Sequence, residues 1–313
     1  MENISMREAY GRALAQYGEL NRDGVVLDVD TSSSTFSNYF AKRFPERFFN
    51  IGIAEPCMID VAVGLALGGA IPFANGFAAL LALRALEQIR TCVCYARTNV
   101  KLAAGYAGVS DFKDGPTHHA ITDIAIMRAL PGMTVIVPAD SFEAASWIPV
   151  IAEYEGPVYF RLSRAATIPV HSHGLHLDMG KGLVLRPGQD ITLIGCGSMV
   201  GYSLKAAEIL NDKGIQARVI QIHTIKPLDE DLVIQAAEET GALITAEEHS
   251  VIGGLGGAVA EALSRYKPVP LERIGIPDTF GRTALSPESL MDALGLGVSD
   301  IVAAAELAIT RKK

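Results

Sequence analysis

Residues 61–83 read Val61-Ala62-Val63-Gly64-Leu65-Ala66-Leu67-Gly68-Gly69-Ala70-Ile71-Pro72-Phe73-Ala74-Asn75-Gly76-Phe77-Ala78-Ala79-Leu80-Leu81-Ala82-Leu83, with no charge between Asp60 and Arg84. At ~1.5 Å per residue, a helix of that length would cross a bilayer. Gly68, Gly69, Pro72, Asn75 and Gly76 stand in its middle, and such residues punctuate a helix rather than continue it. The stretch therefore reads as a buried helix, a turn, a short strand and a second buried helix. That reading makes the chain a globular α/β protein and not a membrane span.

Outward from this stretch the same alternation continues. Val25–Val29, Phe48–Ile53, Ala70–Ala74, Val100–Ala104, Met133–Val137 and Val158–Leu162 are short apolar runs, with helix-length segments between most of them. Apolar strands separated by helices imply parallel pairing with both sheet faces covered. A polar stretch rich in His, Gly and Pro follows, and then a second alternation. Its strands are Ile191–Gly195, Ala217–Ile222 and Ala242–Glu247, with Leu271–Gly275 as a closing strand. The expected fold is α/β, with two doubly wound, mainly parallel sheets. The expected domains are 1–168 and 190–313, joined by a linker at 169–189.

Composition narrows the function. With 49% apolar and 20% charged residues, the chain is neither disordered nor a coiled coil. Lys and Arg number 27 against 35 Asp and Glu, so the net charge is −8 and no basic run offers itself to phosphate backbones; no nucleic acid and no membrane partner is expected. Four cysteines make no disulfide framework, and Cys92-Val93-Cys94 lacks the second pair a zinc site needs. The opening residues contain no apolar secretory core, which leads to the expectation of a cytoplasmic protein.

Several motifs invite chemistry. Ile252-Gly253-Gly254-Leu255-Gly256-Gly257 lacks the spacing and the acidic residue of a dinucleotide loop, so tight strand-to-helix packing is its plainer reading. His171, His173 and His176 lie in the linker without a supporting carboxylate motif. Glu247-Glu248-His249 reads either as a catalytic cluster or as a solvated loop. His118, in Asp114-Gly115-Pro116-Thr117-His118-His119, follows an apolar strand on the edge where α/β folds bind ligands, and imidazole there can shuttle a proton. Glu55 is the one acid in Ile51-Gly52-Ile53-Ala54-Glu55 and starts an apolar helix. It is either a capping acid or a desolvated carboxyl that shares a proton.

Taken together, these residues resemble the transketolase family, specifically its middle and C-terminal domains. The matching elements are Leu27-Asp28-Val29-Asp30-Thr31 with Ser34, Asn50-Ile51-Gly52-Ile53-Ala54-Glu55, Phe77-Ala78-Ala79, Glu87-Gln88-Ile89-Arg90, Asp114-Gly115-Pro116-Thr117-His118 and Leu162-Ser163-Arg164. Thr224-Ile225-Lys226-Pro227-Leu228-Asp229 and Glu247-Glu248-His249-Ser250 match the second domain.

The resemblance implies a transferase of the pentose phosphate type, which moves a two-carbon ketol unit from a ketose phosphate to an aldose phosphate through a thiamine diphosphate carbanion. By the same match Glu55 hydrogen-bonds the cofactor's aminopyrimidine, Phe77 walls it, and Asp30 lies near it at a subunit interface. Where the family carries a further aromatic residue, this chain has Leu80 and Leu81. His118 serves the reacting carbonyl, Asp114 binds the sugar hydroxyl at C2, and Arg7, Ser34 and Arg164 hold the phosphate. A second family His is replaced near Tyr106, which would shift sugar specificity.

The family's metal-binding Gly-Asp-Gly is absent from the sequence. The resemblance is therefore to the C-terminal subunit of a split transketolase. It implies Mg2+ ligands on a separate N-terminal subunit, an α2β2 heterotetramer, and no activity from the chain alone. A 2-oxo acid dehydrogenase β subunit, a deoxyxylulose-phosphate synthase-like fragment and a non-enzymatic binding or regulatory subunit are the alternatives.

Overall fold

The computed structural model describes residues 4–172 and 174–312. Within residues 61–83 the punctuation acts as read. A helix over Glu55–Leu67 ends where Gly69 takes φ +93°, strand Ile71–Phe77 follows, and helix Ala78–Arg84 continues from it. Pro is the second residue of the first helix, where its missing N–H costs nothing.

Two sheets result. The first holds β1 (Gly24–Asp28), β2 (Phe48–Asn50), β3 (Ile71–Phe77), β4 (Lys101–Gly105), β5 (Thr134–Ile136) and β6 (Val158–Arg161). The second holds β7 (Leu183–Arg186), β8 (Ile191–Gly195), β9 (Ala217–Gln221), β11 (Leu243–Ser250) and β12 (Leu271–Ile276), while β10 (Thr224–Lys226) crosses back to the first. The orders are β10-β5-β6-β4-β3-β1-β2 and β12-β11-β8-β9-β7. All pairs are parallel except β10 with β5 and β7 with β9.

Those two antiparallel edges depart from the expectation. Leu183–Arg186 lies in the stretch read as linker, yet it pairs with β9. Thr224–Lys226 follows a strand of the second sheet but extends the first. A three-residue strand leaves no periodicity to read, and its partner lies far away in sequence. Phe48–Ile53 forms strand only to Asn50, because Gly52 turns the chain at φ +80°.

Register brings the strand ends into line. Asp28 sits opposite Asn50 and Asn75, Phe77 opposite Gly105, and Ala104 opposite Arg161, so these ends finish along one edge. One apolar core, including Leu27, Met58, Leu102, Ile194, Ile220 and Leu243, runs through both sheets. The apolar run at 287–310 matches a membrane span in length and composition alone. It is two helices, Pro287–Ala293 and Val298–Thr310, broken where Gly295 takes φ +73°, and Leu290, Ile301 and Ala305 pack into the second core.

His223 joins the sheets from a fully buried position, with Nδ1 2.9 Å from Thr224 Oγ1 and its ring 5.0 Å from Trp147. Its Nε2 has no partner among the described residues. Burial, with a lesser contribution from His171, pulls its pKa down to about 4. The unfolded chain takes up this proton near pH 6.5 and the folded chain only near pH 4, so stability is lost as pH falls through that window. In urea titrations, wild type should lose about 3 kcal/mol more than His223→Gln between those two pH values. Parallel pH profiles for the two proteins would refute this.

Candidate active site

The residues singled out from sequence lie at or just beyond the ends of β1–β4 and β6, on one edge of the first sheet; Arg7 reaches them from helix Met6–Leu20. Asp28 organises the first loop. It is buried, and its carboxylate accepts from Thr31 N at 2.5 Å, Thr31 Oγ1 at 3.1 Å, Thr35 Oγ1 at 2.9 Å and Ser37 Oγ at 2.9 Å. Burial pushes its pKa up against those bonds. The bonds tie down the turn in which Asp30 takes φ +67° and accepts from Asn50 Nδ2 at 2.9 Å.

Glu55 is only 2% exposed, and Arg84 Nη1 reaches its two oxygens at 3.2 and 3.3 Å. Sequence reading missed this cation, although Arg84 closes the uncharged stretch 61–83. Phe77 ends β3, with its ring 4.1 Å from Tyr106 and 6.0 Å from His118. Leu81 is buried in the core, so Tyr106 and not Leu80 or Leu81 supplies the second aromatic ring beside Phe77.

Arg7, Ser34 and Arg164 are brought together. Arg7 donates to the Ser34 carbonyl and, at 3.5 Å, to the Arg164 carbonyl. Its guanidinium lies 4.7 Å from the Tyr106 ring centre and that of Arg164 lies 5.3 Å from it. Both cations thus lie within reach of one aromatic ring, which attracts each of them, while they repel one another. Burial lowers the Arg7 pKa; Arg164 feels the same penalty, but contact with Tyr106 and Asp111 raises it overall.

Asp111 is a residue that sequence reading assigned no role. It is fully buried and pairs with Arg164 Nη1 at 3.4 Å. Burial and the neighbouring Asp114 push its pKa up. Asp114 itself is exposed and His118 half-buried, with Thr117 Oγ1 3.1 Å from His118 Nδ1.

The other motifs serve the architecture. Glu247 accepts from Leu255 N at 2.7 Å and Gly256 N at 2.8 Å, so the helix N-terminus that a dinucleotide would need is already occupied. Glu248 accepts from Val109 N and Ser198 Oγ, and His249 Nε2 accepts from Ala125 N. All three are buried, which excludes the solvated-loop reading. His171 contacts Gln221 at 2.6 Å, exposed His176 pairs with Asp178, and His173 lies outside the described residues. Among the described residues no group of three or more His, Cys, Asp or Glu is placed to hold a metal ion.

The sequence matches the transketolase pyrimidine-binding domain over residues 2–169 and the transketolase C-terminal domain over residues 180–301. A solved structure described as a split-gene transketolase, inactive β4 tetramer, is 47% identical with a TM-score of 0.93, covering 99% of this chain and 100% of that one. A 6-deoxy-6-sulfo-D-fructose transketolase subunit of Clostridium sp. is 40% identical over 100% of this chain and 97% of its own length. A subunit of the apulose-4-phosphate transketolase of Phocaeicola vulgatus is 38% identical, over 88% of each chain.

The β4 relative corrects the assembly expected from sequence. That structure is a homotetramer, not an α2β2 heterotetramer with a separate N-terminal subunit. The sequence could not separate the two assemblies: Ile53, Leu67, Leu83 and Tyr95 are apolar and exposed in this chain. Sequence tells that such a face is apolar but not which chain covers it.

Because Asp28 satisfies several donors at once, Asp28→Ala should lower the unfolding free energy by on the order of 2–4 kcal/mol. A urea denaturation curve within 0.5 kcal/mol of wild type, roughly the effect of an ordinary surface substitution, would show that the loop does not depend on it.

Proposed function

The chain belongs to the transketolase family, and from that premise we propose that the sheet edge bearing Glu55, Phe77 and His118 takes up thiamine diphosphate and a sugar with an anionic tail. The protein is a two-carbon transfer enzyme of that family and the C-terminal section of a split protein. The observation that carries the site assignment is convergence: Phe77 lies 6.0 Å from His118, while Arg7 donates to the backbone of both Ser34 and Arg164.

The residues fit the cofactor. Glu55 is a carboxylate shielded from water at the start of an apolar helix, suited to a hydrogen bond with a ring nitrogen of the aminopyrimidine. Phe77 and Tyr106 offer an aromatic wall, and Asp30 stands on the turn after β1. When bound, thiamine diphosphate supplies the acidic carbon that accepts the two-carbon unit. Magnesium enters with the cofactor, and none of the residues assigned here is its ligand.

The protein's own residues act on the sugar. His118 moves a proton at the carbonyl oxygen as the carbon–carbon bond changes, and Asp114 accepts from the hydroxyl at C2. Arg7 and Arg164 neutralise the tail, with Ser34 beside them. The names of two relatives support a tail of this kind, one ending in a sulfonate and one in a phosphate. We propose a ketose phosphate as donor, an aldose phosphate as acceptor, a cytoplasmic location, and a requirement for a partner subunit. The description of the β4 relative as inactive supports that requirement.

The test supplies the chain with its partner subunit, thiamine diphosphate and magnesium, and follows sugars by mass spectrometry. A ketose phosphate should shorten by two carbons as an aldose phosphate lengthens by two, and the chain alone should transfer nothing. Decarboxylation of a 2-oxo acid without transfer would overturn the reading. Glu55→Gln should lower kcat on the order of 10²–10⁴-fold. Arg164→Ala should mainly raise the sugar KM, by about 10–100-fold.

A further inference from the structure

The loop that carries Asp114 and His118 has no regular secondary structure between Asp111 and His119. A segment of the second unit, Pro277–Ser286 between β12 and helix Pro287–Ala293, meets it at three points. Ala284 N donates to the Phe112 carbonyl at 2.9 Å. Thr283 Oγ1 stands 2.9 Å from where a Cβ on Gly115 would lie, and Gly115 has φ +83°. A Cβ on Gly281 would lie 2.2 Å from His119 Nδ1 and 2.8 Å from its Cε1.

His119 is the centre of this contact. It is 6% exposed, and its Nε2 lies 3.0 Å from the Asp111 carbonyl. A carbonyl only accepts, so Nε2 carries the proton and Nδ1 is a bare lone pair, without a partner among the described residues. That edge of the ring fills the space left by the missing side chain of Gly281. A glycine on each side thus admits a side chain from the other, and ordinary residues at either position would push the two segments apart.

We propose that segment 277–286 is the seat that sets the position of Asp114 and His118, with Gly281 and His119 as positioning residues. The inference rests on the reading that Asp114 and His118 meet the sugar. Its physical basis is that an irregular loop takes its geometry from what it packs against, and small displacements of a reacting group cost much of its effect. It gives the second unit a part in sugar binding without contact between that unit and the sugar.

The test is hydrogen exchange of the full chain together with kinetics of the active assembly. In Gly281→Ala, amides of residues 110–119 should exchange about tenfold faster while those of β8 and β11 do not change. Because His118 shifts together with Asp114, kcat should fall about tenfold and the sugar KM should rise by a few-fold. His119→Gln keeps a donor near the Nε2 position and removes the ring edge, so Gly281→Ala with His119→Gln should restore both readouts. Unchanged exchange in Gly281→Ala, or a double variant as impaired as the single one, would overturn the proposal.

Should Gly281→Ala fail to fold, Thr283→Ala, whose side chain is exposed, reads the same seat. It should quicken exchange at 110–119 about threefold, and no change would overturn the proposal. If wild type transfers no two-carbon unit, the functional reading has failed, and hydrogen exchange still decides the seat.

Discussion

One guanidinium joins the halves of this molecule. Arg161 ends β6 at 4% exposure, and its Nε donates to Asp123 Oδ2 at 2.8 Å. Its Nη2 donates to the carbonyls of Ala120 and Glu248, each at 3.0 Å. The first sheet, the end of the sugar loop and β11 of the second sheet thus meet at a single side chain. Burial alone would lower the Arg161 pKa and raise that of Asp123; the pairing outweighs it, leaving Arg161 raised and Asp123 lowered. Burying such a pair brings little net stability, because desolvation offsets the attraction. What it provides is a fixed position, since any other arrangement leaves a charge unpaired in the interior.

Around that anchor the sheet edge is held before any ligand arrives. The Asp28 carboxylate gathers the hydroxyls of the Asp30 turn, and Glu248 takes the Val109 amide at the start of the sugar loop. A Cβ on Gly108 would fall 2.4 Å from Glu248 Oε1, so this approach needs a glycine with φ +63°. Tyr106 takes φ +60° without being glycine, and it does so with Arg7 and Arg164 both close to its ring. Strained backbone of this kind persists only where its surroundings over-determine it, and here two cations and the Phe77 ring do so.

Much of this was legible in the chain itself. The glycines and Pro72 inside residues 61–83 predicted helix, strand and helix, and these formed. Apolar runs predicted the parallel strands because a strand buried on both faces is apolar throughout. The short antiparallel edges, β7 and β10, were not legible, since too few residues repeat to show a period. Nor were Arg84 beside Glu55 and Asp111 beside Arg164, whose partners are 29 and 53 residues away along the chain. Nothing in a charged residue's own neighbourhood says which opposite charge the fold will bring to it.

The amino-acid sequence by itself determined the two-sheet α/β plan, the family resemblance and the residue types at the strand ends. These depend on local pattern and on the order of motifs, which a linear chain carries in full. Tertiary structure alone decided that Glu247 closes a helix end, that two arginines gather at Tyr106, and that a glycine of the second unit receives His119. Those are contacts between segments distant in sequence. Their energies depend on distance and burial, and neither exists until the chain has folded.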